Sequence, residues 1–308
     1  MFNLMRIASF LAVFCIFALA ATTAARPPTF ATIDYPGAVN TYVLGINPEG
    51  DIVGAFDDAS GQHAFLLRNG EYIAFDMPGA LWTNAYGISP KGDIVGQYGW
   101  YDIATGIYTV QGFLLREEVF YPIVVPGQQN NMPFKINPDG MIVGCNHHNV
   151  TNQGGIDLNS MTGFSMYMYG TADNTMSRSM NLGVNPAGDI VGYYFATPDG
   201  TPSNRAEWSY LIRKGEMTFF QFPDAFATLA TDINAPGTII GRYRLSTSPA
   251  FHGFISEGGE FQSFDVTGAT QTFPFGISAT GAVVGYYVVG SGSTAVYHGF
   301  LLSRKGLE

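Results

Sequence analysis

The chain has 308 residues, with 14 Lys+Arg against 24 Asp+Glu, 38 Gly, 24 Phe and 17 Tyr, and only 12% of it is charged. Low charge with many aromatics excludes disorder, and a net charge of −10 leaves no basic stripe for phosphates, so no nucleic-acid partner is expected. The length suits one large all-β domain or two ordinary ones.

Met1 to Arg6 carry one positive charge, and Ile7 to Ala21 (IASFLAVFCIFALAA) are apolar or small except for Ser9. Such a run is short for a membrane span and fits a secretory signal, with Ala18-Leu19-Ala20 or Thr23-Ala24-Ala25 as the cleavage pattern. A retained signal anchor is the alternative, but no stop-transfer run follows Arg26. Residues 1–25 therefore read as a signal peptide and residues 26–308 as one secreted domain, extracellular or periplasmic, without a membrane span. Cys15 follows Phe14, which argues against lipidation there. The mature part keeps 13 basic and 24 acidic residues, net −11, and a single cysteine, Cys145. With no disulfide framework, stability has to come from a large core.

Six nine-residue segments align without gaps: INPEGDIVG from Ile46, ISPKGDIVG from Ile88, INPDGMIVG from Ile136, VNPAGDIVG from Val184, INAPGTIIG from Ile233 and ISATGAVVG from Ile277. Their terminal glycines lie 42, 48, 48, 49 and 44 residues apart. A second motif follows each: HAFLL from His63, QGFLL from Gln111, TGFSM from Thr162, WSYLI from Trp208, HGFIS from His252 and HGFLL from His298. A third closes most units, as in FDMPGA at Phe75 and FDVTGA at Phe264, and an orphan copy, IDYPGA, begins at Ile33.

The first unit predicts four strands: Thr41 to Ile46, Asp51 to Phe56, His63 to Arg68 and Glu71 to Asp76. Asn-Pro-Glu-Gly turns the first pair and Asn69-Gly70 the last. Lys214-Gly215 and Gly258-Gly259 repeat the latter signal. No segment has sustained helical periodicity. Four strands repeated six times predict an all-β fold, a six-bladed β-propeller of four-stranded blades. A solenoid or a pair of sandwiches is the rival architecture. Closure is expected to pair residues 30–35 with residues 298–303, since an open row of meanders would expose hydrophobic edges.

These units, GINPEGDIVGAF…HAFLLRNGEYIAFDMPGA and GISATGAVVGYY…HGFLLSRKG, resemble the bacterial extracellular "HAF" repeat family over about residues 30–306. The resemblance implies a secreted repeat protein and no particular chemistry. Gln111, Thr162 and Trp208 depart from the family's usual His.

Within the chain, His63 precedes Asp76 by 13 residues and His252 precedes Asp265 by the same distance; where the His is replaced, the Asp is missing. The last unit has His298 but no fourth strand, and the orphan copy supplies Asp34. Joint presence predicts contact across neighbouring strands, as a buried hydrogen bond holding register. A catalytic dyad is the alternative, but three copies suit a structural role better than one active site does.

The fourth-to-first and second-to-third connections should share one face, opposite the Asn-Pro-x-Gly turns. Thr41, Thr83, Asn131, Ser179, Thr228 and Thr272 are expected to ring the channel mouth there, serving strand-start amides or ligand hydroxyls. From each IVG-type glycine to the aromatic of the third strand the spacings are 11, 17, 20, 18, 13 and 15, so units two to four carry the long connections. The predicted ligand site draws on these: Trp100, Tyr101, Asp102, His147, His148, Asp157, Tyr194, Arg205, Glu207 and Trp208. His147, His148 and Asp157 could ligate a metal, but adjacent loop histidines seldom share one ion, so neither a metal nor a cofactor is expected. Cys145 reads as a small buried hydrophobe rather than a nucleophile. Asn149-Val150-Thr151 is a glycosylation sequon, relevant in a eukaryotic source.

Three functions compete: a carbohydrate-binding module, a polysaccharide hydrolase or lyase, and a protein-interaction scaffold. Binding ranks first, since no residue set has catalytic spacing; the partner expected is an extracellular glycan or protein, and the protein is expected to be a monomer.

Overall fold

The computed structural model describes residues 29–104, 106–124, 130–148, 152–159, 163–167, 176–196 and 206–303, with backbone only for 146–148, 152–159, 163–167, 176–178, 196 and 206. The signal segment, the Asn149 sequon and Arg205 lie outside the described residues.

Short β-favouring runs between Gly and Pro turns form strands nearly throughout. After β1 (Thr29–Ile33) comes a group of four, β2 (Asn40–Ile46), β3 (Ile52–Asp58), β4 (Gly61–Arg68) and β5 (Glu71–Phe75). The second group is β6 (Trp82–Ile88), β7 (Ile94–Asp102), β8 (Ile107–Arg116) and β9 (Val119–Ile123). The third is β10 (Asn130–Ile136), β11 (Ile142–His148), β12 (Asn152–Asn159) and β13 (Gly163–Tyr167). The fourth is β14 (Met176–Val184), β15 (Ile190–Ala196), β16 (Ala206–Arg213) and β17 (Glu216–Phe220). The fifth is β18 (Ala227–Ile233), β19 (Ile239–Arg244), β20 (His252–Glu257) and β21 (Glu260–Phe264). The sixth has β22 (Gln271–Ile277), β23 (Val283–Val289) and β24 (Val296–Ser303). Among the described residues the only helical element is a single 3-10 turn, Gly292–Thr294, and no helix is long and apolar enough to cross a membrane.

Each group is an antiparallel meander. The sixth takes β1 as its fourth strand, in register from Thr29 opposite Ser303 to Ile33 opposite Gly299. Groups three to five are joined by single parallel pairs, Gln153 with Arg178 and Glu207 with Ala227; the other groups are separate sheets. The first strands touch in order from β2 through β6, β10, β14 and β18 to β22, and β22 touches β2.

The repeated motifs have local causes. In the first turn Gly50 has φ +87°, a left-handed value that favours glycine. Asn47 Oδ1 accepts from the Asp51 amide at 2.8 Å, and its Nδ2 donates across to the Ser89 carbonyl of the next group at 3.4 Å. Asn137, Asn185 and Asn234 make the same step to Asn185, Asn234 and Ser278, so the turn residue also ties group to group. In IVG, a Cβ on Gly54 would stand 2.0 Å from the Tyr42 carbonyl and 2.8 Å from the Phe65 ring. That glycine and the motif aromatic are therefore cross-strand partners, and Phe65, Phe113, Tyr210, Phe254 and Phe300 are all fully buried. Each first strand bulges beside this contact, as at Val43/Gly45.

Two expectations need correction. In the third unit the glycine row aligns Gly144 with Ile156 on β12, and Asn146 with Gly154, which makes Gly154, not Thr162, the counterpart of His63. The GFSMY segment is the fourth strand, pairing with β12. Its glycine–aromatic order imitates the third-strand motif. The extra residues of unit two also lengthen strands rather than a loop, and the excess counted for unit three disappears once β12 is its third strand. β7 and β8 run to Asp102 and from Ile107, and His147, His148 and Asp157 sit on β11 and β12. Alternating Tyr, Thr and Val extend the second-unit ladder because such residues fit a half-exposed pleat.

Candidate functional site

The inner strands line an axis in layers. At the turn end, Pro48, Pro90, Pro138, Pro186 and Ala279 surround one depression whose floor includes Lys135 and Asp232. Gly45, Gly87, Gly183 and Gly276 occupy the matching position in the other four groups. Lys135 Nζ donates to the Leu44 carbonyl at 2.8 Å and the Tyr86 carbonyl at 3.3 Å, and lies 3.5 Å from Asp232 Oδ2. The Asp232 carboxylate accepts from the Ile233 amide at 2.9 Å and the Ile277 amide at 3.1 Å. Burial pulls the Lys135 pKa down and pushes that of Asp232 up, each opposed by the partner's charge. Three acceptors for one ammonium and two amides on one carboxylate satisfy the charged forms. Next along the axis the bulge residues Leu44, Tyr86, Phe134, Leu182, Thr231 and Phe275 enclose a small void.

Toward the other end, the residues after the IVG-type glycines are Ala55, Gln97, Cys145, Tyr193, Arg242 and Tyr286, of which Gln97 and Arg242 reach the next group. Cys145 is fully buried and burial pushes its thiol up to about 12, so it is no nucleophile at neutral pH. Arg242 lies 5.4 Å from the centroids of Phe251 and Phe273 and 5.5 Å from that of Phe275. Its Nε and Nη1 are enclosed and make no hydrogen bond. Arg244 stacks on Phe226 at 5.0 Å and on Phe251 at 5.6 Å, with Nη2 3.7 Å from Glu207 Oε2.

The predicted site residues divide. Trp100 and Tyr101 are 42% and 48% exposed at the end of the β7–β8 hairpin, beside Tyr108 at 50%. Trp82 Nε1 donates to the Tyr108 hydroxyl at 2.7 Å, and the Trp82 indole covers Gly99. Trp82, Tyr101 and Tyr108 thus share one face of the hairpin, while Trp100 lies over Gly79 on the other. Asp102 accepts from the Ala104 amide at 2.9 Å and shapes the turn. Tyr194 does not belong to a ligand site: it is buried, 5.2 Å from Phe219 and edge-on to Trp208 at 6.1 Å, because this row packs neighbouring groups. Trp208 is partly buried in the same cluster. The side chains of His147, His148 and Asp157 lie outside the described residues. Among the described residues no three metal-ligating side chains gather.

The row of small polar residues does not ring the mouth either. Thr41, Thr83, Asn131, Ser179, Thr228 and Thr272 are buried. Thr41, Thr83, Thr228 and Thr272 accept turn amides from Tyr35, Met77, Phe222 and Val266 at 2.9, 3.1, 3.0 and 3.3 Å.

His63, His252 and His298 face Asp76, Asp265 and Asp34 through Nδ1 at 2.7, 2.7 and 2.9 Å. The pairs are solvent-accessible, not buried: the aspartate side chains are 42–45% exposed. Each imidazole packs on its own second-strand aromatic, Phe56, Tyr243 or Tyr287. His63 differs from the others, since its Nε2 stands 2.9 Å from Ser60 Oγ, in the order of a hydrolytic triad. The Ser60 hydroxyl, however, donates to Asp58 at 2.6 Å in a tight turn. Asp76 holds the His63 pKa above its ordinary value, which favours an imidazolium with Nε2–H donating to Ser60. That proton arrangement is the reverse of an activated serine.

No family model and no curated protein matches the chain. Among solved structures it is similar to AofleA from Arthrobotrys oligospora, with TM-score 0.53 and 11% identity over 90% of this chain and 88% of that one. It is similar to TolB from Acinetobacter baumannii at TM-score 0.51 and 15% identity, covering 86% of this chain and 64% of that chain. The β-propeller domain of the Trilobed protease from Pyrococcus furiosus matches at TM-score 0.49 and 11% identity, over 84% and 82%. The described residues are all-β, almost without helix, and β-propellers are among the chain's structural neighbours.

Two functional features escape a reading of the repeats. The Lys135–Asp232 pair shows as departures from a glycine column in the aligned units, and Arg242 sits in a column where only Tyr recurs, at Tyr193 and Tyr286.

Proposed function

We propose that the chain is a secreted, six-bladed β-propeller of the HAF-repeat type that binds an extracellular carbohydrate on the face opposite the Asn-Pro-x-Gly turns. The cyclic contact of the first strands and the pairing of β1 with β24 support the closed ring. The apolar run Ile7 to Ala21, followed by small residues, supports export.

One observation carries the binding reading: the hairpin with Trp100, Tyr101 and Tyr108 exposed and half-buried Trp82 holding Tyr108. Flat rings with polar rims offer stacking surface to the C–H faces of sugars and hydrogen bonds to their hydroxyls, at low entropic cost. Binding is favoured over turnover because the described His–carboxylate pairs sit on open surface, and catalysis profits from an enclosed site.

A glycan array followed by calorimetric titration of the best ligand tests this, with product analysis for cleavage. Trp100→Ala and Tyr101→Ala together are expected to weaken binding at least ~10-fold with little change in melting temperature. Unchanged affinity in that variant contradicts the assignment to this hairpin, and release of shortened oligosaccharides favours the hydrolase or lyase reading.

A further inference from the structure

Arg68, Arg116 and Arg213 each lie within 3 Å of a turn carboxylate, Asp51, Asp93 and Asp189 respectively. Among the described residues Arg242 has no carboxylate partner, and its Nε and Nη1 make no hydrogen bond. Its neighbour Arg244 reaches only the 3.7 Å contact with Glu207, and Arg244 Nε and Glu207 Oε2 are both enclosed without a hydrogen bond. Two guanidiniums thus share the Phe251 ring against one loosely engaged carboxylate.

Beside Arg244 opens a hollow of about 310 Å³ lined by Phe226, Arg244 and the connection from Leu245 to Pro249, which carries the hydroxyls of Ser246, Thr247 and Ser248. An enclosed polar group without a partner is costly, and a guanidinium in a low-dielectric setting attracts an anion strongly. The three rings around Arg242 offset part of that cost, but rings accept no hydrogen bond from the open edge of the hollow. Aromatic faces, hydroxyls and surplus positive charge together match a sugar that bears a carboxylate.

We infer that this hollow of the fifth group is a subsite for a hexuronate residue, its carboxylate facing Arg244, which shares the Phe251 ring with Arg242, and its ring against Phe226. The inference rests on the carbohydrate reading and specifies the ligand class. It places the acidic subsite on Phe226 just before β18, on Arg244 of β19 and on the β19–β20 connection, apart from the β7–β8 aromatic hairpin.

The test titrates the mature chain with tetragalacturonate, with tetramannuronate, and with the methyl ester of each. At least one free acid is expected to bind ~10-fold or more tightly than its ester, and Arg242→Met and Arg244→Met should each erase most of that preference. The folded state of each variant is checked by its cooperative melting. Trp100→Ala is expected to weaken acid and ester alike and to keep their ratio. Equal affinity for acid and ester, a preference that survives both arginine variants, or no binding of either uronate overturns the subsite. A neutral glycan that still binds in a Trp100-dependent way would leave the broader carbohydrate reading standing.

Discussion

Lys135, at the turn end of the axis, has two carbonyls and a carboxylate around its ammonium, whereas Arg242, toward the mouth, has three aromatic rings and no acceptor. Each differs from the residues at its position in the other units; Lys135 is buried, and Arg242 is half-buried with its Nε and Nη1 enclosed. The difference lies in what each leaves unsatisfied. Lys135 and Asp232 complete one another and join the third group to the fifth, so their charges act within the fold. Arg242 keeps two enclosed donors unused, and it shares the Phe251 ring with Arg244, the arginine that lines the hollow.

The paired end depends on the groups standing in a ring, so the largest effect should come from opening it. Deleting residues 26–36 removes β1 and Asp34, exposing the edge of β24 and unpairing His298. The unfolding midpoint should fall more than in any single variant below, with loss of a single cooperative transition. A truncated chain that melts as high and as sharply as the mature protein contradicts the closure.

Within the closed ring, Asp232→Ala leaves a buried ammonium without its carboxylate and is expected to cost ~3–5 kcal/mol in urea unfolding. The double variant Lys135→Gly/Asp232→Gly restores the residue found in the other four groups and should recover to within ~2 kcal/mol of the parent. Failure of the double variant to recover would show that the pair does more than neutralise itself. Gly54→Ala tests the neighbouring layer: its Cβ would overlap the Tyr42 carbonyl, and a loss of ~1–3 kcal/mol is expected.

The smallest effect concerns the accessible His–Asp pairs. Asp76 raises the His63 pKa, so the pair's contribution is fully present below the ordinary histidine pKa of ~6.5 and fades as pH rises through the raised value. Proton NMR titration should place the His63 midpoint above that value, and Asp76→Asn should lower it. An identical midpoint in the two proteins contradicts the contact.

Much of the fold is legible in the sequence because every unit meets the same steric demand. Gly50 and its equivalents must turn the chain, Gly54 and its equivalents must admit a carbonyl and a ring, and neither task tolerates substitution. The third unit misleads because β12, NQGGIDLN, lacks the motif aromatic while β13, GFSMY, imitates it. The candidate site was legible only where function coincides with exposed aromatics, at Trp100 and Tyr101. Tyr194 looks the same in sequence but serves packing, since strand parity and not residue type decides which way a ring points. Arg242 is obscured for the converse reason: a search for repetition favours columns that agree, and a binding residue in a repeat protein lies in a column that does not.

The most direct test of the contrast between the two cations is side-by-side urea unfolding of Lys135→Met and Arg242→Met. Lys135→Met strands the Asp232 carboxylate and is expected to cost ~3–5 kcal/mol, while Arg242→Met removes an unsatisfied charge, keeps apolar contact with Phe251 and Phe273, and should stay within ~1 kcal/mol of the parent or above it. Equal destabilisation by the two substitutions would mean that Arg242 is a structural cation like Lys135, and would contradict its assignment to a ligand.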